Sequence, residues 1–291
     1  MKRLSFILLL CAFVSVASAQ KVTCNFQDIT LSDALKYIQA QTTDYDITFI
    51  YDELEDFRVT TLIQNKSIPD AIVQIVGFYP VRVVKSGAHE IYLECTHKTD
   101  RHLKGTIIDE KGLPVAYANI AILNPSDSTL LCGGVSNESG YFAIPLEQER
   151  GLARISYVGY KTIYKQCNGT ELGTIRMQPE TQTLKGVTVK GQRLLYTAID
   201  HGLKVTVQGT PLEQFGSVSE MLSHLPLMMS NGEIAGHGKP EIYINNKQVQ
   251  NARELKQLKS TNIKSVVVIT SPGAKYNAEV GAVIRIKTKK H

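Results

Sequence analysis

Two periods of hydrophobic spacing run through the chain and divide it. Residues 30–38 begin with Thr30-Leu31-Ser32-Asp33. They place a hydroxyl residue before an acid and apolar side chains at i, i+3, i+4 and i+7, the signature of a capped helix lying on a core. Residues 67–75 repeat the arrangement, with Pro69 in the first turn, where its missing N–H costs nothing. Strand-like runs surround both helices at 22–26, 47–51, 59–63, 81–85 and 91–94. The pattern predicts a small α+β domain over residues 20–98, with two helices packed on one sheet.

From Leu103 to Met177 the period shortens to two. Turn signals recur at 109–114 and 137–140, with strands expected at 118–123, 141–144 and 155–160. This regular spacing predicts an all-β sandwich over 101–178. Residues 179–193 read as a linker, with Pro179 at its start and Gly186 and Gly191 around Val187-Thr188-Val189. Helical spacing returns at 217–225. There Ser217 and Glu220 form a capping box, and Val218, Met221, Leu222 and Leu225 share one face until Pro226 stops it. Residues 241–249 alternate about a turn at Asn245-Asn246, which reads as a hairpin. A short helix is expected over 252–258 with Leu255 and Leu258 on one face, then a strand at 266–269 buried on both faces. Ser271-Pro272-Gly273 breaks that strand, and alternation resumes at 283–286. The fold class is therefore multi-domain, α+β and all-β, with a second α+β unit over 194–291.

The first residues point to an exported chain. Lys2-Arg3, an apolar run over 4–16 and Ala17-Ser18-Ala19 make a secretory signal peptide over residues 1–19, so a mature chain would begin at Gln20. The run is too short for a membrane span, and Cys11 follows Leu10 where a lipoprotein needs a small residue. Removing the leader lowers the net charge from +5 to +3, too weak and dispersed for a nucleic-acid partner. Lys287, Lys289, Lys290 and His291 read as a solvated basic end. Export permits disulfides, and Cys24, Cys95, Cys132 and Cys167 remain. Two readings stand: the pairs Cys24–Cys95 and Cys132–Cys167, each closing a long loop worth about 4 kcal/mol, or four buried free thiols.

The chemistry of an enzyme is not legible. His89-Glu90 lacks the second histidine of a zinc-peptidase motif, and Gly134-Val135-Ser136 lacks the final glycine of a nucleophile elbow. His201, His224 and His237 are far apart, and no cysteine–histidine cluster has ligand spacing. No enzyme activity, cofactor or metal is expected.

Three groups of motifs carry a resemblance. The order I-Y-I-N-N-K, helix, I-K-S-V-V-V-I-T-S-P-G-A-K-Y-N-A-E, G-A-V-I-R-I over 241–288 resembles the second half of the plug domain of TonB-dependent outer-membrane receptors. K-G-T-I-I-D-E-K-G-L-P, S-N-E-S-G-Y-F and I-S-Y-V-G-Y-K together are similar to the carboxypeptidase regulatory-like domain, the transthyretin-like, non-catalytic companion of carboxypeptidases. Residues 20–98 resemble the short N-terminal domain shared by secretins and TonB-dependent receptors. That likeness implies contact with an anti-sigma regulator, for which the acidic run Asp52, Glu53, Glu55 and Asp56 is either part of a partner surface or a solvated loop. L-K-G-V-T-V-K, with Leu184, Gly186, Val187, Thr188 and Val189, resembles the segment that meets the TonB-type energy-coupling protein; the alternative is an ordinary edge strand. The sequence departs from the family where a glycine is expected after Pro226 and Leu227-Met228-Met229 stand instead, and where a glycine run is reduced to Gly281. The resemblance implies the periplasmic front end and plug of a nutrient receptor at the outer membrane. No strands of the receptor's barrel are expected within these residues. The alternative is a stand-alone periplasmic or cell-surface interaction module.

Overall fold

A computed structural model describes residues 20–97, 99–148, 150–180, 195–199, 202–229, 231–270, 272, 276 and 280–289. The expected signal peptide, residues 1–19, lies outside them. The described structure is mostly β, built on several open sheets around three hydrophobic clusters. Among the described residues no helix is long and apolar enough to cross a membrane.

The first cluster joins β1 (Lys21–Thr30), α1 (Leu31–Ala40), β2 (Asp46–Thr48), β3 (Arg58–Ser67), α2 (Ile68–Val76), β4 (Val81–Ser86) and β5 (Glu90–Cys95). The caps form as the sequence predicts: Asp33 N–H donates to Thr30 Oγ1 at 3.1 Å and Asp70 N–H to Ser67 Oγ at 3.3 Å. Leu31, Ala34, Leu35 and Ile38 of α1 and Ile68, Ala71, Ile72 and Ile75 of α2 are buried on one stripe each. The expectation of one sheet is corrected. β1 pairs with β3 alone, while β2, β5 and β4 form a second sheet, and the helices contact both. Alternation marks which face of a strand is buried, not which strand is its neighbour.

The second cluster is a sandwich. β6 (His102–Ile108) pairs in parallel with β12 (Glu171–Arg176) and antiparallel with β9 (Tyr141–Pro145). Facing it are β11 (Ile163–Asn168), β10 (Arg150–Ser156), β7 (Asn119–Leu123) and β8 (Leu130–Val135), in that order. Ile107, Ile120, Phe142, Ile144, Ile155 and Ile175 interdigitate between the sheets. The expected strand at 155–160 is the end of β10 followed by a turn, closed by Tyr160 N–H to Tyr157 O at 3.1 Å. Gly105 is required by close approach: a Cβ there would lie 2.8 Å from Gly173 O and from the Phe142 ring.

The third cluster lies on one face of a six-stranded sheet, β13 (Tyr196–Ile199), β14 (Gly202–Thr206), β17 (Ile263–Ile269), β18 (Val283–Thr288), β15 (Glu241–Ile244) and β16 (Lys247–Gln248), in that spatial order. α3 (Val218–Ser223) and α4 (Ala252–Gln257) pack together over Leu203, Val205, Val266, Val268, Ile284 and Ile286. Asn245 and Asn246 take φ of 48° and 71° and turn β15 into β16. Two refinements follow. Glu220 Oε2 accepts from Gly216 N–H rather than from Ser217, so the predicted box closes one residue early, whereas Asn251 and Glu254 make a full box for α4. β17 is buried on one face only: Val266 and Val268 are inside, Val267 and Ile269 half-buried. The basic end is not simply solvated either, since Lys289 Nζ pairs with Glu213 Oε1 at 2.6 Å.

Candidate interaction surfaces and interdomain joints

Two joints hold the three units together, each with polar contacts set in apolar packing. At the first, Asp56 comes from the loop before β3 and faces β6 of the sandwich. Its Oδ2 is 2.9 Å from His102 Nδ1, and its Oδ1 accepts from Lys104 Nζ at 2.8 Å. Tyr141 Oη–H donates to the Asp56 carbonyl at 2.7 Å, and Asn137 Nδ2 donates to the Arg58 carbonyl at 3.0 Å. Burial pushes the Asp56 carboxyl up, but the hydrogen bonds from Lys104 and His102 outweigh it and hold the group below the ordinary carboxylate value. The acidic run is thereby reassigned. Asp56 is engaged within the chain, while Asp52 and Glu53 sit in a short 3-10 turn whose Leu54 is buried.

The second joint lies between the sandwich and the six-stranded sheet. Asn119 of β7 reaches the turn after α3, donating to Leu225 O at 2.8 Å and accepting from Leu227 N–H at 2.7 Å. Beside it Met229 covers Gly133 of β8, where a Cβ would lie 2.5 Å from the methionine methyl. Edge-on ring contacts continue the joint. Phe78 of the first unit meets Tyr117 at 5.8 Å, and Tyr196 of β13 meets Tyr117 at 6.3 Å and Tyr157 at 5.5 Å. A cleft of about 310 Å3 opens where all three units meet, between Leu62, Gln74, Phe78, Glu138, Ile199 and Thr270.

The expected partner-binding residues Leu184, Gly186, Val187, Thr188 and Val189 lie outside the described residues. Their flanks are anchored. Glu180 N–H donates to Gly159 O at 2.8 Å, and Thr206 N–H donates to Leu195 O at 2.9 Å next to buried Tyr196. Beyond Tyr196, β13 has one strand partner among the described residues and exposes Thr197, Ala198 and Ile199 along an open edge.

Cys24, Cys95, Cys132 and Cys167 are all free, and of the four only Cys24 and Cys167 are buried, Cys95 and Cys132 being half-buried. Cys132 and Cys167 occupy the two outer strands of a four-stranded sheet, with β7 and β10 between them. At about 4.8 Å per strand their backbones stand ~14 Å apart, twice the reach of a disulfide. Cys24 and Cys95 belong to different sheets. Burial pushes the Cys132 thiol up to about 12 and that of Cys95 to about 11, far from the thiolate a nucleophile needs at neutral pH.

The fragments of enzyme motifs have structural employment. Ser136 is fully buried, donates to Val115 O at 2.7 Å and accepts from Ala118 N–H at 3.0 Å. His89 Nδ1 lies 2.7 Å from Asp44 O, and His224 stacks on Phe215 at 4.3 Å. His201 lies outside the described residues. Among the described residues no group of three or more histidine, cysteine or acidic side chains is arranged to hold a metal ion. The feature that sequence reasoning missed is the Asn119 clamp, which joins positions more than a hundred residues apart and has no local signal.

No protein-family model matches the chain, and no curated protein is similar to it. Among solved structures it is partly similar to 3-chlorocatechol 1,2-dioxygenase from Rhodococcus opacus 1CP. That likeness has 14% identity and a TM-score of 0.18, over 26% of this chain and 57% of that one. A 9R-lipoxygenase from Cyanothece PCC8801 shares 16% identity at a TM-score of 0.22, over 32% of this chain and 18% of that one. The TIE protein of Bacillus anthracis shares 13% at 0.23, over 42% and 25% respectively. The chain thus spans between 18% and 57% of these proteins' lengths, overlaps too partial to define a common fold or function.

Proposed function

We propose that the chain is the periplasmic front end and plug of a TonB-dependent outer-membrane receptor for nutrient uptake. In this reading residues 20–98 form a short signalling domain that meets an anti-sigma regulator, 101–178 a carboxypeptidase regulatory-like sandwich, 179–193 the segment offered to the energy-coupling protein, and 194–291 the plug. The observation that carries the reading is the order of elements over 241–288. An Asn-Asn hairpin, a capped helix and two antiparallel strands follow one another as the plug motifs in the sequence require. The helix ending before Pro226 and the leader-like residues 1–19 agree with it. The test is calorimetric titration of the chain with the periplasmic domain of a TonB-type energy-coupling protein. Saturable binding that a peptide of residues 183–191 competes away is expected, and no measurable heat at any concentration would refute the receptor reading.

One observation favours a stand-alone interaction module instead. The surface around Leu227, Met228 and Met229 is covered by the chain's own sandwich, so this part of the third unit has its partner already. Under that reading the chain binds a protein partner without any barrel, and binding to the energy-coupling domain is absent.

A further inference from the structure

The joint at Asp56 closes on two imidazoles that point at each other. His97, just after β5, and His102, at the start of β6, bring their Nε2 atoms to 3.0 Å. Their rings meet edge-on at 5.1 Å, and Phe57 walls both, 4.8 Å from His102 and 6.4 Å from His97. His102 is 3% exposed and its Nδ1 is committed to the Asp56 carboxylate. The far nitrogen of His97, Nδ1, is buried without a hydrogen-bond partner among the described residues.

This arrangement accommodates one proton between the rings and no more. Two neutral lone pairs at 3.0 Å repel, and one N–H between them makes a hydrogen bond. With His102 Nδ1 given to Asp56, that N–H belongs to His97 Nε2, and a further proton arriving on His97 enters at its buried Nδ1, where the imidazolium meets no acceptor among the described residues. The surrounding charges do not relieve it. From the loop before β3, Asp56 is already shared between His102 and Lys104. From β12, Glu171 reaches Lys104 at 3.5 Å. Tyr141 of β9 and Tyr79 spend their hydroxyls on the Asp56 and Arg58 carbonyls. Asp100, in the connection between the two histidines, is the one acid among the described residues acting on His97, and it is exposed. A metal ion in place of the proton would find two nitrogens where four ligands are usual.

We propose that the His97–His102 pair makes the attachment of the first unit to the sandwich proton-dependent: one shared proton closes the joint, and a second, arriving on His97, opens it. Burial holds the His97 imidazole down at about 4, well below its ordinary value, so acid favours the conformation in which the ring is free. The first unit's core takes in only Ala143 of the sandwich, with Tyr141 packed against it, which places the opening at the joint rather than in either unit.

Hydrogen–deuterium exchange on the full chain at pH 7.5, 6.0 and 5.0, corrected for the chemical exchange rate, tests this. The open population seen by peptides covering 55–58 and 97–104 should rise roughly thirtyfold between pH 7.5 and 5.0, while β10 stays protected. His97→Gln keeps an amide at the bridging position but cannot take the second proton, so its exchange should stay flat with pH. His97→Lys places a permanent charge there, and should be open at pH 7.5 with β10 still protected. A flat wild-type profile would overturn the proposal. So would a rise in His97→Gln as steep as in wild type, which would assign the opening to carboxylates.

Discussion

Asn119 and Leu227 are bound to each other across the joint between the sandwich and the six-stranded sheet, with Leu227 N–H 2.7 Å from Asn119 Oδ1. The same side chain donates to Leu225 O at 2.8 Å, so one planar amide supplies the Leu227 N–H with its acceptor and adds a second donor to a carbonyl that already accepts from Met228 N–H. Leu225 and Leu227 are fully buried, and water does not replace what the amide supplies.

Asn119→Ala is therefore expected to strand the buried Leu227 N–H, while Leu225 O keeps the Met228 N–H at 3.2 Å, and to cost about 1–3 kcal/mol. It should also uncouple the third unit, splitting one denaturant transition into two. Urea unfolding followed by two probes, one in each unit, checks both outcomes. A loss below about 0.5 kcal/mol with a single transition would show that the apolar contacts around Met229 hold the joint unaided.

Leu227 occupies left-handed backbone, φ 68°, at the position where a glycine is expected from the resemblance. A leucine there carries about 1–2 kcal/mol of strain, which its burial has to offset. Leu227→Ala keeps the strain and removes the side chain, so a loss of about 3–5 kcal/mol is expected. Leu227→Gly also removes the side chain but releases the strain. It should come out roughly 1 kcal/mol more stable than the alanine variant. The opposite order in chemical denaturation would mean that the turn relaxes to ordinary φ once the side chain is gone.

His237 supplies an acid-labile term of its own. Burial holds its imidazole down at about 4, and its Nε2 is buried without a partner among the described residues. The unfolded chain takes up the proton near 6.5, so the stabilisation is complete above that value and is lost as the pH falls toward 4. A loss of about 1–3 kcal/mol over this window is expected, smaller at the low end if the ring reaches water by local opening. His237→Gln should flatten that part of the stability–pH curve without changing the curve above pH 7. Thermal unfolding in a pH series reads it out, and an unchanged acid slope would place the titrating group elsewhere.

For the energy-coupling contact the prediction rests on backbone chemistry. Proline removes one N–H and fixes φ, which a paired strand interior tolerates poorly. Val187→Pro or Thr188→Pro should weaken binding to the coupling domain by about 1–3 kcal/mol, while Thr188→Ser leaves it nearly unchanged. Equal affinities for wild type and both proline variants, measured by calorimetry, would reduce the segment to a connector.

What the sequence by itself determined are the features decided within a few residues. The caps at Thr30 and Ser67, the stop at Pro226 and the Asn245-Asn246 turn depend on local hydrogen bonds and allowed φ, which neighbouring side chains set directly. The buried stripes of α1, α2 and α3 follow from spacing for the same reason. Only the tertiary structure decided which strands are neighbours, that β1 and β3 form a sheet of their own, and that β17 has one covered face. It also decided the fates of side chains whose partners are distant in sequence. Asp56 turned from an acidic surface to His102 and Lys104, Cys132 and Cys167 were held three strands apart, and Asn119 found Leu227. A carboxylate, thiol or amide offers the same hydrogen-bonding atoms wherever it stands. Which partner it meets depends on how the sheets pack, and local spacing carries no information about that.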